Sequence, residues 1–286
     1  MIDKNGNKIR PKTEEKDRAF MMKELKFMTK IFRKCQTETE GKRMGEQLVA
    51  YLKSDSPLSS SEEKIAEDIL LELETYVPKA KEEDFIWEMV YARRALNKKG
   101  TKTKNDPKIV HSWLSACHFE RIVAVRPTVH NRSCEVMELT EAAIDYSEIG
   151  QNLDAYKGLD LARDKFAAIE KNENAIYYQA GSFMYYVCFK RDDRLKNNDE
   201  EKIKLNRTVI DYSCKDYENN NERNVLFRAA DACLDYFERK GFSYEQEKAQ
   251  IKKVLSLLEG IQGNNTAKNY ITKLNAKIYN VQGNIL

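Results

Sequence analysis

The sequence predicts an all-α protein of about twelve antiparallel helices, laid as stacked helical hairpins in an α-solenoid-like array with no β-sheet. Three observations carry this expectation. Apolar residues return at three- and four-residue steps along almost the whole chain, the period of a helix with one buried side. Charged residues make up 33% and hydrophobic ones 41% of 286, with only 11 glycines and 5 prolines, a composition suited to amphipathic helices. No segment alternates with a two-residue period between turn residues, so no strand is expected.

The elements follow in order. Met21, Leu25, Met28 and Phe32 stripe a first helix expected over 14–35, and a second follows over 40–53. Ser60 with Glu63 reads as a capping box opening the third, 60–77, where Ile65, Ile69, Leu73 and Val77 recur. Phe85, Met89 and Leu96 organise a fourth over 81–98. Asp106-Pro107 supplies a cap and a first-turn proline for the fifth, 107–125, and Pro127 separates it from the sixth, 129–149. Gly150 precedes the seventh, 152–171, and three more are expected over 173–192, 198–218 and 222–240. Gly241 closes the tenth, and Ser243 with Gln246 reads as a box opening the eleventh, 243–260. Ala267, Ile271, Leu274 and Ile278 stripe the twelfth, 265–281.

Short polar connections favour antiparallel neighbours. The break at 98–106, with Gly100 and alternating Thr and Lys, is the expected boundary between a four-helix unit (1–100) and a helical-hairpin array (107–286). The expected core comprises Leu25, Phe32, Leu48, Ile69, Leu73, Trp87, Met89, Trp113 and Val123, then Phe166, Phe183, Cys188, Val209, Leu226, Cys233, Leu255, Leu258 and Leu274.

Net charge is +3, with basic ends around an acidic middle: +5 over 1–50, +4 over 251–286 and −6 between. None of the six cysteines forms a C-x-x-C pair, the first residues carry no secretory pattern, and no apolar run approaches the ~20 residues of a membrane span. Free thiols in a reducing, cytoplasmic setting are expected. No cofactor is implied, because phosphate loops, nucleophile elbows and zinc-protease or calcium motifs are missing.

Tyr177, Ala180, Gly181 and Met184 resemble the first helix of a tetratricopeptide repeat, and Phe227, Ala230, Asp231 and Leu234 place similar types at the same offsets. Gly181 and Asp231 are 50 residues apart, whereas that family repeats at about 34, so the resemblance reaches a TPR-like array and not membership.

Stacked hairpins expose one concave face, which suits a protein or peptide partner. The leading expectation is therefore a scaffold or regulatory protein whose groove presents Tyr177, Tyr185, Arg191, Arg228 and Tyr236, residues in or near the densest aromatic and cationic helices. A nucleic-acid reading rests on Arg93, Arg94, Lys98, Lys99, Lys102 and Lys104, a cationic run without acids that phosphates could neutralise, together with the basic termini. A third reading centres on 111–134. Cys117 or His118, with His130 and Cys134 four residues apart on one helix side, offers zinc-type donors. Arg126 and His130 there resemble the Arg/His pair of HEPN ribonucleases, although only three residues intervene and Pro127 breaks the helix.

Overall fold

The computed structural model describes residues 12–53, 58–99 and 107–283, and among them there are twelve α-helices and no strand. These are α1 (Lys12–Cys35), α2 (Glu38–Lys53), α3 (Ser60–Glu74), α4 (Glu83–Lys99), α5 (Pro107–Val125) and α6 (Val129–Glu148). They continue as α7 (Asn152–Ala167), α8 (Ala175–Arg191), α9 (Asp199–Asn220), α10 (Arg223–Tyr236), α11 (Tyr244–Glu259) and α12 (Asn265–Gly283). None among the described residues is long and apolar enough to cross a membrane.

Where boundaries move, local chemistry explains it. α3 stops at Glu74, and Val77–Lys79 tightens into a 3₁₀ turn around Pro78, which has no amide to continue an α-helix. α10 ends at Tyr236 rather than 240, and the chain then turns through Gly241, whose φ of 79° suits glycine. The capping box of α3 lies one residue earlier than expected. The Ser59 side chain accepts from the Glu62 amide, and Glu62 Oε2 accepts from the Ser59 amide at 2.7 Å. Ser243 precedes α11 without a side-chain cap.

The chain divides into two compact units, Met1–Asn131 and Arg132–Leu286. The expected boundary at 98–106 falls mostly outside the described residues, and α4 and α5 on either side of it pack together. In the N-terminal unit α4 is central, with Phe85, Ile86, Met89, Val90, Ala92 and Leu96 all buried, and it packs on α2 and α5. α2 approaches closely because Gly41 has no side chain. A Cβ there would lie 2.5 Å from Phe85 Cε2.

The most deeply enclosed arginine among the described residues of this unit is Arg93. Arg93 is fully buried, and its Nη1 donates to Glu67 Oε1 at 2.6 Å while Nε and Nη2 grip Glu74. His118 Nε2 lies 2.7 Å from Glu74 Oε1. A buried charge is tolerated only when paired and hydrogen-bonded in this way.

In the C-terminal unit α8 packs on α9, α9 on α10, and α10 on α11 and α12, while α7 flanks α8. This pairing of sequence neighbours is compatible with stacked hairpins. Val209, Leu226, Cys233, Ile251, Leu258 and Leu274 lie in one continuous apolar cluster. Thirteen of the eighteen expected core residues are buried; Trp87, Val123, Phe183 and Leu255 are half-buried, and Trp113 is exposed at 39%.

Candidate functional site

α8 has no single apolar side. Its aromatic residues point in several directions, so it is packed from more than one side. Gly181 lets α9 come close, because a Cβ at that position would lie 2.3 Å from Tyr212 Cδ1. Around this contact Phe166 stacks on Tyr177 at 4.9 Å and meets Tyr185 and Tyr212 edge-on at 5.8 and 5.5 Å. The Tyr177 and Tyr212 hydroxyls are hydrogen-bonded at 3.0 Å.

The far end of α8 is held rigidly. Lys202, buried on α9, donates to the Phe189 carbonyl, one of the acceptors that a helix C-terminus leaves without an intrahelical donor. Beyond it Arg194 donates twice to Asp160 on α7, at 2.8 Å each, and to Asp192. These clamps fix the last turn of α8, and with it Lys190 and Arg191.

Against that turn lies a cleft of about 590 Å³ between residues of α6, α7, α8 and α10. Ile144, Phe183 and Val187 give it apolar lining, while Ser147, Asn152 and Asp193 add neutral and acidic polar groups. Lys190, Arg191 and Arg228 make it cationic, with Tyr186 beside them.

The three cations differ in how far their charge is answered. Lys190 pairs with Asp231 at 2.9 Å, and Asp231 also accepts from the Tyr186 and Tyr270 hydroxyls at 2.7 and 2.8 Å. Burial alone would raise the Asp231 pKa, but Lys190 and the two phenols outweigh it and hold the carboxyl below its ordinary value. Arg191 reaches Glu148 only at 3.4 Å. Arg228 has no ion pair among the described residues, and its one hydrogen bond there runs from Nη1 to Ser182 Oγ at 3.1 Å. Its guanidinium stands 5.5 Å from the Phe183 ring centre and 5.7 Å from that of Tyr186. Burial lowers its pKa, and the charge of the fully buried Asp216 compensates only in part. The result is a half-desolvated cation beside an open space.

No family model matches the chain, and neither does any curated protein or solved structure. The site therefore stands on its own geometry.

Of the five residues expected in a groove, Arg191 and Arg228 line this cleft together. Tyr177 is buried in the ring cluster, and Tyr185 packs against Phe166 and Tyr212. Tyr236 is fully buried, donates to Gln250 Oε1 at 3.0 Å and stacks on Phe242. Lys190, Tyr186 and Asn152 join Arg191 and Arg228 in lining the cleft; Lys190 and Tyr186 lie on the aromatic helix α8 near its basic end, whereas nothing in the local sequence marks Asn152.

The basic run is divided by the fold. Arg93 is inside the N-terminal unit among carboxylates and contributes no surface charge. Arg94 is half-buried with its guanidinium 5.7 Å from the Phe119 ring centre. Lys98 and Lys99 end α4, and Lys102 and Lys104 lie outside the described residues. In the third region His118 is engaged with Glu74, Cys117 is exposed and Cys134 is buried. His130 tilts against Trp87 at 6.1 Å, while Arg126 pairs with Glu83 at 3.2 Å. Among the described residues no three His, Cys, Asp or Glu side chains are grouped so as to hold a metal ion.

Proposed function

We propose that the chain is an interaction or regulatory protein that binds a segment of a protein or peptide partner in the cleft framed by α6, α7, α8 and α10. The observation that carries this reading is the cleft itself, concave and lined by apolar side chains and cations together, on a turn of α8 clamped from two sides. Its volume lies within the range of about 300–1,000 Å³ usual for ligand sites. Rigid placement also favours recognition, because side chains that are already ordered lose less freedom on binding.

The test is co-purification from native extract with two kinds of variant. Asn152→Trp fills the exposed mouth of the cleft, and Lys252→Glu changes an exposed charge on α11, outside the cleft. The reading expects one stoichiometric protein partner, lost with the first variant and kept with the second. Equal retention by both would end it, as would recovery of nucleic acid alone, held in a way that weakens steeply with salt.

A further inference from the structure

Arg228 is the unusual member of the cleft. Its neighbours Lys190 and Arg191 have carboxylates at 2.9 and 3.4 Å, whereas Arg228 has none within 4.0 Å among the described residues. The carboxylates that act on it from further away are Asp216, which is buried, and Glu141. Its Nη1 is anchored to Ser182, whose own Oγ lies 3.1 Å from Ser213 Oγ, and both serines are fully buried. The aromatic faces of Phe183 and Tyr186 flank it. One edge of the guanidinium is thus tied down, while Nε and Nη2 have no protein acceptor among the described residues. A guanidinium held in plane with spare donors matches two oxygens of a carboxylate or phosphate.

We propose that the cleft recognises an acidic residue of the partner segment, whose carboxylate or phosphate pairs with Arg228 while an adjoining apolar side chain rests on Ile144 and Val187. The inference rests on the groove-binding reading and names the chemistry of its partner. Arg191, loosely paired at the rim, adds attraction for the same negative charge. Asp193 also faces the cleft, and Lys196 answers its charge at 3.0 Å, so the balance around an incoming anion stays positive.

Three short probes test this on the full chain carrying ¹⁵N-labelled arginine: acetyl-Leu-Glu-Leu-amide, its phosphoserine counterpart and the neutral Leu-Gln-Leu peptide. The Arg228 Nε–H signal, assigned by its loss in Arg228→Gln and again in Arg228→Lys, is followed at millimolar probe. It should move saturably with the acidic peptides and bind the neutral one about tenfold more weakly or less. Comparing the two acidic arms identifies carboxylate or phosphate as the better fit. By isothermal titration calorimetry, which does not depend on the Arg228 signal, Arg191→Gln should weaken acidic binding less than Arg228→Gln, with far-ultraviolet circular dichroism reporting that each variant remains folded. An Arg228 signal that ignores all three peptides, or answers the neutral one equally, overturns the proposal. If Asn152→Trp released the native partner while acidic and neutral probes behaved alike, the groove reading would stand and the acidic anchor would fall. If acidic probes moved Arg228 while Asn152→Trp kept the partner, the anion site would stand and the groove reading would fall.

Discussion

Replacing Glu74 by glutamine removes the carboxylate that holds Arg93 and His118 in the N-terminal unit. Arg93 keeps Glu67 at 2.6 Å, so its charge is not wholly abandoned. The amide retains one acceptor oxygen but no negative charge. Hydrogen bonds to charged groups contribute about 1.5–3 kcal/mol each, and removing one partner of a buried pair costs about 3–5 kcal/mol. With Glu67 remaining, the expected loss is about 2–4 kcal/mol, a large part of the ~5–15 kcal/mol that holds an ordinary domain together. Both tryptophans, Trp87 and Trp113, belong to this unit, so urea unfolding followed by tryptophan fluorescence reports on it directly. The pH dependence gives a second arm. Burial alone would raise the Glu74 pKa, but hydrogen bonds from Arg93 and His118 outweigh it and hold the folded value below the ordinary 4.5. The stability from this depression is complete above pH 4.5 and fades as the pH falls through the folded value. The gap between wild type and Glu74→Gln should therefore narrow on acidification. A Glu74→Gln protein within about 0.5 kcal/mol of wild type at neutral pH, the range of an inert surface change, would refute the argument.

Other outcomes follow from particular contacts. Ser59→Ala should destabilise the N-terminal unit by about 1 kcal/mol while Ser60→Ala changes little, measured by the same urea titration, because Ser59 is the cap. Glu62 should titrate near pH 2 in carboxyl-resolved NMR: burial pushes it up, but the Ser59 amide and hydroxyl, Tyr51 and Arg18 outweigh this and lower it to about 2. Its contribution is complete above 4.5 and lost as pH falls towards about 2. Gly181→Ala should cost about 1–3 kcal/mol by crowding Tyr212, despite the better helix propensity of alanine, as read by thermal melting of α-helical circular dichroism. A thiol reagent should modify Cys35 and Cys117 in the native chain and reach Cys134, Cys188, Cys214 and Cys233 only on unfolding, since the last four are buried and burial lifts Cys188 and Cys214 to about 12.

Helix positions were legible because the three-and-four spacing survives whatever the helices pack against. Their fine chemistry was not. The run Ser59-Ser60-Ser61-Glu62-Glu63 fits two boxes equally, and the choice is made by distant residues, since Glu62 Oε1 also receives Tyr51 at 2.7 Å and Arg18 at 3.2 Å. Arg93 read as one of a surface run because its partners Glu67 and Glu74 lie 26 and 19 residues earlier. Periodicity also marks which side of a helix is apolar without saying whether another helix covers it, and Trp113 is left exposed on α5. For the site, Arg191 and Arg228 were legible as cations near aromatic helices. Tyr177 and Tyr185 share that neighbourhood, but their rings meet Phe166 and Tyr212 from α7 and α9, a contact that only the folded chain brings about.

Photo-crosslinking tests the central claim most directly. A benzophenone amino acid placed at position 152, at the cleft mouth, is compared with one at position 252 on α11, and crosslinked peptides are identified by mass spectrometry. The account predicts one partner segment, rich in acidic and apolar residues, captured from 152 and not from 252. Capture of the same segment from both positions, or from 252 alone, would contradict it.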